Sequence, residues 1–466
     1  MPVFEADPGP TELTASATSA SRPLGAGRLL LLAAVAVGIV LALMPIATER
    51  ANACAFDPRR PYAYEADVNR TAYRLAFDAV STNTLFGSDP FFALPPIERG
   101  TRNARADAAP FIPADLLKAI SWVESDMTMA QRSVRFDSIG EALVSFDCGH
   151  GLTQVTTGMT VPLGASGLPS DRQVLIATHY AYNVARGAQI LAEKWNSAPE
   201  QRPVVGTDTN SDPALIENWY YAVWGYNGFT GPGSNRSNHP LDSALPWPRP
   251  AFQCDGTQSR DRYPYQELVW GCLARPAVRN NTNLWTAVPA TLPNQTDPAV
   301  FSAMSLSNWS FPYSSMDIRT PQPAHVATAP ALPSSYRETL LGAPQLQAST
   351  ESVSIRLNDP TSSDRVTVDI RNAGTGVLSW IAQPSANFLV LTPPGGTALG
   401  PGIACTSGTC PHGTLTIEIN PTLLPSSSAR ATITVRSPNG GSGAITINVN
   451  VIAEFEVGAP GTSQAR

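Results

Sequence analysis

The sequence predicts a multidomain chain in which an N-terminal hydrophobic export segment precedes an all-α domain and an all-β sandwich. Three observations lead to this fold class. Residues 29–46 form one apolar run without a charged residue. Residues 113–285 contain three segments with apolar residues at helical spacing, and residues 350–457 contain four in which apolar and polar residues alternate. Because the helical and strand periodicities occupy separate stretches, separate domains are expected.

The chain has 466 residues, which exceeds the size of one compact domain. Its 43 prolines favour long connections between the domains. The predicted division is a disordered or cytoplasmic stretch at 1–28, a signal peptide or membrane anchor at 29–53, an all-α domain at 54–310 with its core at 110–275, a Pro-rich linker at 311–349, a β-sandwich module at 350–457 and a tail at 458–466.

The charge balance excludes one class of partner. The formal net charge is −6 and the isoelectric point is about 5.5. Nucleic-acid binding depends on clustered Lys and Arg that neutralise phosphates, so no nucleic-acid partner is predicted. An anionic polymer would have to be held by hydrogen bonds and stacking instead of by bulk charge.

The apolar run near the N-terminus predicts export of everything that follows it. Arg22 and Arg28 precede the run, and a positive flank stays on the cytoplasmic side. Ala51 and Ala53 give the small-x-small form of a signal-peptidase site, which favours a secreted, extracellular or envelope protein. An uncleaved anchor with a single span, and a lipid-modified Cys54, remain alternatives.

The six cysteines are expected to form disulfides because the body of the chain is exported. Cys405 and Cys410 are close enough in sequence to clip one loop, so they are predicted to pair. The other four can pair in three ways, and they are Cys54, Cys148, Cys254 and Cys272. None has the C-x-x-C spacing of a zinc site, and no cofactor or metal is predicted.

The β-module is predicted from period-two segments at 366–370, 415–419, 431–435 and 445–451. Residues 378–380 (LSW), 388–396 (FLVLTPPGG) and 438–441 (PNGG) give it a resemblance to the bacterial immunoglobulin-like modules called BACON domains. The resemblance implies an immunoglobulin-like sandwich with a carbohydrate or protein ligand. Trp380 is interpreted as a core residue in preference to a sugar platform.

The first helical segment carries a carboxylate at the end of an apolar stripe. Pro113 suits the first turn of a helix. Leu117, Ile120 and Glu124 then lie on one face at spacings of three and four. An apolar wall disfavours the ionised carboxylate and raises its pKa, as a general acid requires. The alternative is a glutamate whose carboxylate reaches solvent at the helix end.

Three later segments complete the pattern. Residues 146–156 (FDCGHGLTQVT) contain two glycines that permit a sharp turn, followed by Gln154, whose amide can both donate to and accept from a sugar. Residues 171–195 follow the helical period, and Gly187 on the apolar face indicates close helix packing. Residues 212–228 (DPALIENWYYAVWGYNG) begin with a cap and a proline and end at Gly228.

In this order the motifs resemble the catalytic domain of soluble lytic transglycosylases, a lysozyme-like all-α fold. In that family a Glu-Ser pair closes the first core helix, a Gly-Leu-Met-Gln turn follows, and an Ala-Tyr-Asn-x-Gly helix end comes later. The matching positions are 124–125 (ES), 151–154 (GLTQ) and 225–228 (GYNG). The resemblance covers residues 110–275, including 263–269 (YPYQELV), where the family often has a Tyr-rich helix. Thr153 replaces the usual Met and Gly225 the usual Ala, which puts substrate fit in doubt more than activity.

The resemblance implies a glycosidic-bond-cleaving lyase that acts on peptidoglycan strands. Glu124 would protonate the glycosidic oxygen between N-acetylmuramic acid and N-acetylglucosamine and then accept the proton of the muramic acid 6-hydroxyl, which closes a 1,6-anhydro ring. Tyr226 is the expected hydrogen-bond partner of Glu124, with a core role as the alternative. Ser125 supports the helix end or contacts sugar. The substrate-binding residues implied are Ser125, Gly151, Gln154, Tyr226 and Asn227.

Three other functions stay open from the sequence. A hydrolase of the same bond, like goose-type lysozymes, would need a positioned water and a second acidic group, and Asp126, Asp137 and Asp147 are nearby in sequence. A catalytically silent cell-surface glycan-binding or adhesion protein is disfavoured by the intact Glu124. A cysteine peptidase with Cys148 as nucleophile fails if that residue is in a disulfide.

Overall fold

The structure is a computed structural model that describes residues 53–198, 204–228, 237–246, 248–294, 317–361, 364–402, 405, 410–441 and 443–457. The predicted apolar run at 29–46 and the tail at 458–466 lie outside the described residues. The described residues from Cys54 onward belong to one compact unit. Within them, none of the helices is both long and apolar enough for a membrane span.

The N-terminal part of the described chain is a mixed α/β body. Its helices are α1 (Thr71–Ser81), α2 (Ala114–Ser125), α3 (Asp171–Thr178), α4 (Tyr180–Asn196), α5 (Tyr220–Tyr226) and α6 (Tyr265–Ala274). Antiparallel pairs join β1 (Tyr62–Glu65) to β4 (Ser138–Glu141), β2 (Ile97–Thr101) to β3 (Ala104–Ala108), and β6 (Val278–Arg279) to β7 (Thr282–Asn283). A parallel pair joins β5 (Val204–Val205) to β8 (Asp317–Ile318).

The prediction of an all-α, lysozyme-like catalytic domain is wrong. Short strand pairs belong to the same core as the helices, since Tyr64 of β1 and Ile97 of β2 are buried within it. Over all the described residues, with the sandwich included, strand exceeds helix, and the longest helix has 17 residues. The sequence did not predict these strands because a segment of two to five residues is too short to show an alternation of apolar and polar residues. Packing against the surrounding residues stabilises these strands instead.

The long helix predicted over 171–195 is two helices in the structure. His179 interrupts it with an extended backbone (φ −120°, ψ 111°), and its Nδ1 accepts a hydrogen bond from the backbone N–H of Ala181 at 3.2 Å. The imidazole therefore caps α4. The segment 212–228 likewise begins with a 3-10 turn, Ile216–Trp219, before α5.

Residues 346–453 form a β-sandwich. The strands are β9 (Leu346–Ala348), β10 (Ser352–Leu357), β11 (Arg365–Asn372), β12 (Val377–Pro384), β13 (Leu389–Thr392), β14 (Gly395–Leu399), β15 (Gly413–Ile419), β16 (Ser428–Arg436) and β17 (Ala444–Ala453). One sheet has the order β10-β17-β16-β12-β14 and the other β13-β15-β11-β9. Every second residue of β15 is buried, as period two requires. Trp380 is fully buried in this core, so it offers no surface to a sugar.

The sandwich packs directly on the α/β body. At the end of α3, the Thr178 hydroxyl donates to Ser379 Oγ at 2.8 Å, and the Thr397 hydroxyl donates to the Thr178 carbonyl. Apolar residues of the sandwich also complete the core of the body, and they are Val377, Ile381 and Leu399. The two parts therefore share buried surface.

The described part of the Pro-rich stretch, 317–349, also lies against the body. It contributes β8 and the short helix α7 (Tyr336–Leu340), whose Leu340 is fully buried. The fully buried carboxylate of Glu217 accepts the backbone N–H of His325 at 2.8 Å, and His325 Nδ1 lies 2.7 Å from it. A charge-assisted contact thus holds this stretch in place.

Candidate functional site

Glu124 is the penultimate residue of α2. The helix starts after Pro113, and it ends where Asp126 adopts the left-handed conformation (φ 56°). Glu124 is partly buried, and Ile120, one turn before it, is fully buried. Its Oε1 accepts a hydrogen bond from the Tyr265 hydroxyl at 2.6 Å, and Tyr265 is the first residue of α6. The carboxylate therefore lies where two helices meet.

Burial raises the pKa of Glu124 to about 7. The hydrogen bond from Tyr265 acts in the opposite direction because it stabilises the ionised form, while the negative charge of Asp147 raises the pKa further. A carboxyl group with this pKa exchanges its proton near neutral pH. It can therefore act first as an acid and then as a base.

Ser125 connects α2 to the turn at 145–155. Its buried hydroxyl donates to the Leu152 carbonyl at 2.7 Å, and the Ser121 hydroxyl donates to the same carbonyl at 2.9 Å. Of the two roles considered for Ser125, the structure shows the support of the helix end.

Gly151 and Gln154 shape the same turn. Gly151 has φ 64°, and a Cβ there would lie 2.5 Å from Met129 Sδ and 2.8 Å from Asn183 Nδ2, so a side chain is excluded. Gln154 is also left-handed (φ 47°), and its Nε2 donates to the Gly151 carbonyl at 2.8 Å. The side-chain N–H of Gln154, which was expected to donate to a sugar, therefore closes the turn instead.

Asn183 of α4 is a positioning residue that the sequence did not single out. Fully buried, its side chain accepts from the Thr153 backbone N–H at 3.1 Å and donates to the carbonyls of His150 and Ile176 at 2.8 and 3.0 Å. Gly187, four residues later on the same face, lies against Thr153, because a Cβ there would be 2.5 Å from the Thr153 side chain. The sequence signal that could have identified Asn183 is its polar side chain on the apolar helix face that also carries Gly187.

The expectation that Tyr226 bonds Glu124 is wrong. The Tyr226 hydroxyl donates to the Thr153 carbonyl at 2.7 Å, and Tyr265 makes the bond to Glu124. Burial raises the pKa of Tyr226, and the charge of Glu124 raises it further, so the two groups lie close together. Sequence reasoning marked the Tyr-rich segment that contains Tyr265 without giving that residue a role.

Asn227 follows α5 as its C-terminal cap, and its Oδ1 lies 3.4 Å from Nδ2 of Asn238. Asn227 thus contacts the next loop. Of the predicted site residues, the structure brings together Glu124, Tyr226 and those of the 145–155 turn. It also places Tyr265, which was not predicted to be a site residue, in contact with Glu124. It shows no contact that joins Asn227 to Glu124 in the described residues.

The three aspartates nearby in sequence have different environments. Asp126 forms an ion pair with Arg260 at 2.9 Å, and Asp137 accepts a tyrosine hydroxyl at 2.8 Å. Asp147 accepts the Ser145 hydroxyl at 2.5 Å, and it is the one of the three whose charge raises the pKa of Glu124.

The disulfides exclude the cysteine peptidase hypothesis. Cys148 is bonded to Cys54, so it has no thiolate with which to attack. This bond ties the turn at 145–155 to the start of the described chain. The other pairs are Cys254 with Cys272, and Cys405 with Cys410.

Comparison with known proteins assigns neither a family nor a function to this chain. No family model and no curated protein matches the chain. Among solved structures, the E. coli chaperone DraB is similar at 15% identity over 24% of this chain and 56% of its own length, with a TM-score of 0.18. A Bacteroides ovatus GH5 xyloglucanase in complex with a heptasaccharide is 15% identical over 26% of this chain and 20% of its own, with a TM-score of 0.16. WR4, a C. elegans MSP family member, is 14% identical over 23% of this chain and 97% of its own, also with a TM-score of 0.16. Likenesses this low carry no argument about function.

Proposed function

We propose that this protein is a lytic transglycosylase that cleaves the β-1,4 bond between N-acetylmuramic acid and N-acetylglucosamine in peptidoglycan. The observation that carries the proposal is the setting of Glu124. Its partly buried carboxyl has a pKa of about 7 and accepts a 2.6 Å hydrogen bond from Tyr265, and the next residue, Ser125, bonds to Leu152 in the turn that contains Gln154. Perturbed carboxyl groups of this kind cluster at catalytic sites.

In the proposed reaction Glu124 acts twice. Protonated, it gives its proton to the glycosidic oxygen as the bond from that oxygen to C1 of the muramic acid breaks. The 6-hydroxyl oxygen of the same sugar then bonds to C1, and its proton passes to the Glu124 carboxylate, which restores the starting state. Because the substrate supplies the attacking hydroxyl, one carboxyl group completes the cycle. Tyr265 stabilises the carboxylate between the two steps by donating its hydrogen bond.

Hydrolysis of the same bond is the second candidate, and Asp147 is the observation that favours it. A hydrolase needs a second carboxylate to activate water. Asp147 is close enough for its charge to raise the pKa of Glu124. The two candidates differ only in the nucleophile, which is water in one case and the muramic acid 6-hydroxyl in the other.

Product analysis separates the candidates. Purified protein would be incubated with peptidoglycan sacculi, and the released fragments would be measured by mass spectrometry. Anhydromuramyl ends, lighter by one water than reducing ends, are the expected result. Reducing ends alone would establish hydrolysis instead. Intact sacculi would reject both candidates and leave a silent glycan-binding or adhesion protein, which pull-down with the same sacculi would detect.

Two substitutions are expected to move the pH dependence in opposite directions. Asp147→Asn removes a negative charge that favours protonated Glu124, so its pKa falls. Tyr265→Phe removes a hydrogen bond that favours the carboxylate, so the pKa rises. Since Glu124 must start protonated, the alkaline limb of kcat/KM for sacculus digestion should move to lower pH in Asp147→Asn and to higher pH in Tyr265→Phe. A shared direction, or two unmoved profiles, would contradict this assignment of the acid.

The proposed place of action is the cell envelope or the outside of the cell, where peptidoglycan lies. The three disulfides support this location because such bonds persist in oxidising compartments. A secreted chain and a chain anchored by one N-terminal membrane segment both meet this requirement. A carbohydrate or protein ligand of the sandwich remains part of the proposal.

A further inference from the structure

A large cavity lies between α1, the first turns of α2 and the loops that follow α6. Its volume is about 910 Å³, which is within the range of sites that bind small ligands. The charged side chains in its walls belong to α1 and α2, and they are Arg74, Asp78, Asp115 and Lys118. Nine residues separate Asp115 from Glu124, which places them about 13.5 Å apart along α2 and on opposite faces of the helix. The cavity is therefore separate from the candidate acid.

The remaining walls of the cavity carry no charged side chain in the described part of the chain. Residues 281–283 of the β6–β7 hairpin supply two amides and a hydroxyl, which can both donate to and accept from a ligand. Residues 326–330 follow His325, which the buried carboxylate of Glu217 holds, and the backbone N–H of Ala327 donates to the Ala214 carbonyl at 2.7 Å. These contacts form the wall before any ligand binds.

The acidic part of the cavity is a cluster of two carboxylates and one ammonium. Lys118 Nζ lies 2.6 Å from Asp78 and 3.2 Å from Asp115. The Lys118 side chain is only 7% exposed, whereas those of Asp78 and Asp115 are 24% and 25% exposed. The cluster therefore has one negative charge in excess, and its carboxylates are the accessible part. A ligand ammonium would be attracted to them.

The basic part of the cavity is Arg74. This residue is half-buried, and its Nε is buried without a hydrogen-bond partner. No residue in the described part of the chain forms an ion pair with its guanidinium. A buried donor without a partner is unfavourable, and a planar guanidinium binds a carboxylate through two parallel hydrogen bonds. The side chain is therefore suited to a ligand carboxylate.

We propose that this cavity binds a short peptide with free termini, with its carboxylate at Arg74 and its ammonium at Asp78 and Asp115. Arg74 and Asp78 lie one helical turn apart on α1, about 6 Å along the axis. Two extended residues span about 7 Å, so a dipeptide matches this separation of charges. The proposal concerns a second site and does not depend on cleavage by Glu124.

The first test compares peptides on the unaltered protein. Ligand-observed NMR titration would measure the binding of alanyl-alanine, of its N-acetyl derivative and of its C-terminal amide. Alanyl-alanine is expected to bind saturably. Each derivative is expected to bind about tenfold more weakly, since each lacks the charge at one terminus. Equal affinities of the three peptides, absence of saturable binding, or acetate binding as tightly as alanyl-alanine would overturn the proposal.

The second test removes the guanidinium. Arg74→Gln is expected to weaken the binding of alanyl-alanine about tenfold and to leave that of the amide unchanged, because only the carboxylate has lost its partner. The amide therefore reports whether the variant still folds around the cavity. Arg356→Gln is the matched control, since Arg356 is exposed on the sandwich and pairs with Glu454. Equal weakening of both peptides by Arg74→Gln, or the same loss in Arg356→Gln, would contradict the assignment of the carboxylate to Arg74.

Discussion

Glu124→Gln is expected to lower the rate of peptidoglycan cleavage at least about 100-fold, since the amide cannot donate or accept the proton that the reaction moves. The substitution preserves the shape of the side chain. Release of fragments from sacculi, followed by mass spectrometry, gives the rate. Glu454→Gln, on the sandwich surface, is a matched control and should retain full activity, because the Glu454 carboxylate forms an exposed ion pair with Arg356 in the sandwich. Comparable rates for the two variants would reject Glu124 as the acid.

The same substitution should change how stability depends on pH. Burial raises the pKa of Glu124 from 4.5 to about 7, so between these values the folded chain binds more protons than the unfolded chain. The native protein therefore loses stability as pH rises from about 4.5 to 7, and the glutamine variant does not lose this contribution. The Tm of the variant minus that of the native protein should therefore increase across this window and stay constant above it. Parallel Tm curves would contradict the raised pKa.

Loss of the Cys54–Cys148 disulfide is expected to have the largest effect on stability. The bond joins residues 94 positions apart. By the chain-entropy relation, a loop of this length stabilises the fold by about 4.7 kcal/mol. Urea unfolding of the double variant Cys54→Ser, Cys148→Ser would measure the change. Because the bond also holds the turn at 145–155, cleavage activity should fall as well.

The sandwich contains a matched control for this experiment. Cys405 and Cys410 are five positions apart. The same relation gives about 2 kcal/mol for so short a loop. Replacing this pair by serines should leave cleavage unchanged, since neither cysteine lies in the turn at 145–155 or bonds to it through its disulfide. Equal losses of stability in the two double variants would show that loop length does not govern the effect.

Local sequence patterns predicted the helices and strands that are long enough for their apolar residues to repeat at one regular spacing. Glu124 could be placed at the end of an apolar helix face because helix α2 has enough turns for spacings of three and four to repeat. The alternation of β15 and β17 predicted strands because one face of each is buried against the opposite sheet. The sandwich was therefore predictable, and so was the position of the candidate acid.

Short or context-dependent elements could not be predicted in this way. The strand pairs of the N-terminal body are too short to show a period, which led to the wrong all-α prediction. His179 interrupts a continuous apolar pattern because its side chain caps the next helix, and Thr178 before it bonds to the sandwich. Neither hydrogen bond can be predicted from the residues that lie next to it in the sequence.

The sequence by itself determined the residue types of the site, their order and the helix end that carries Glu124. Only the tertiary structure decided which tyrosine bonds that carboxyl, because Tyr226 and Tyr265 both follow it in sequence and only packing of α6 against α2 selects Tyr265. The pKa of Glu124 is likewise a tertiary property. It depends on the burial of the carboxyl and on the distance to Asp147, and neither is encoded in the spacing of residues along one helix.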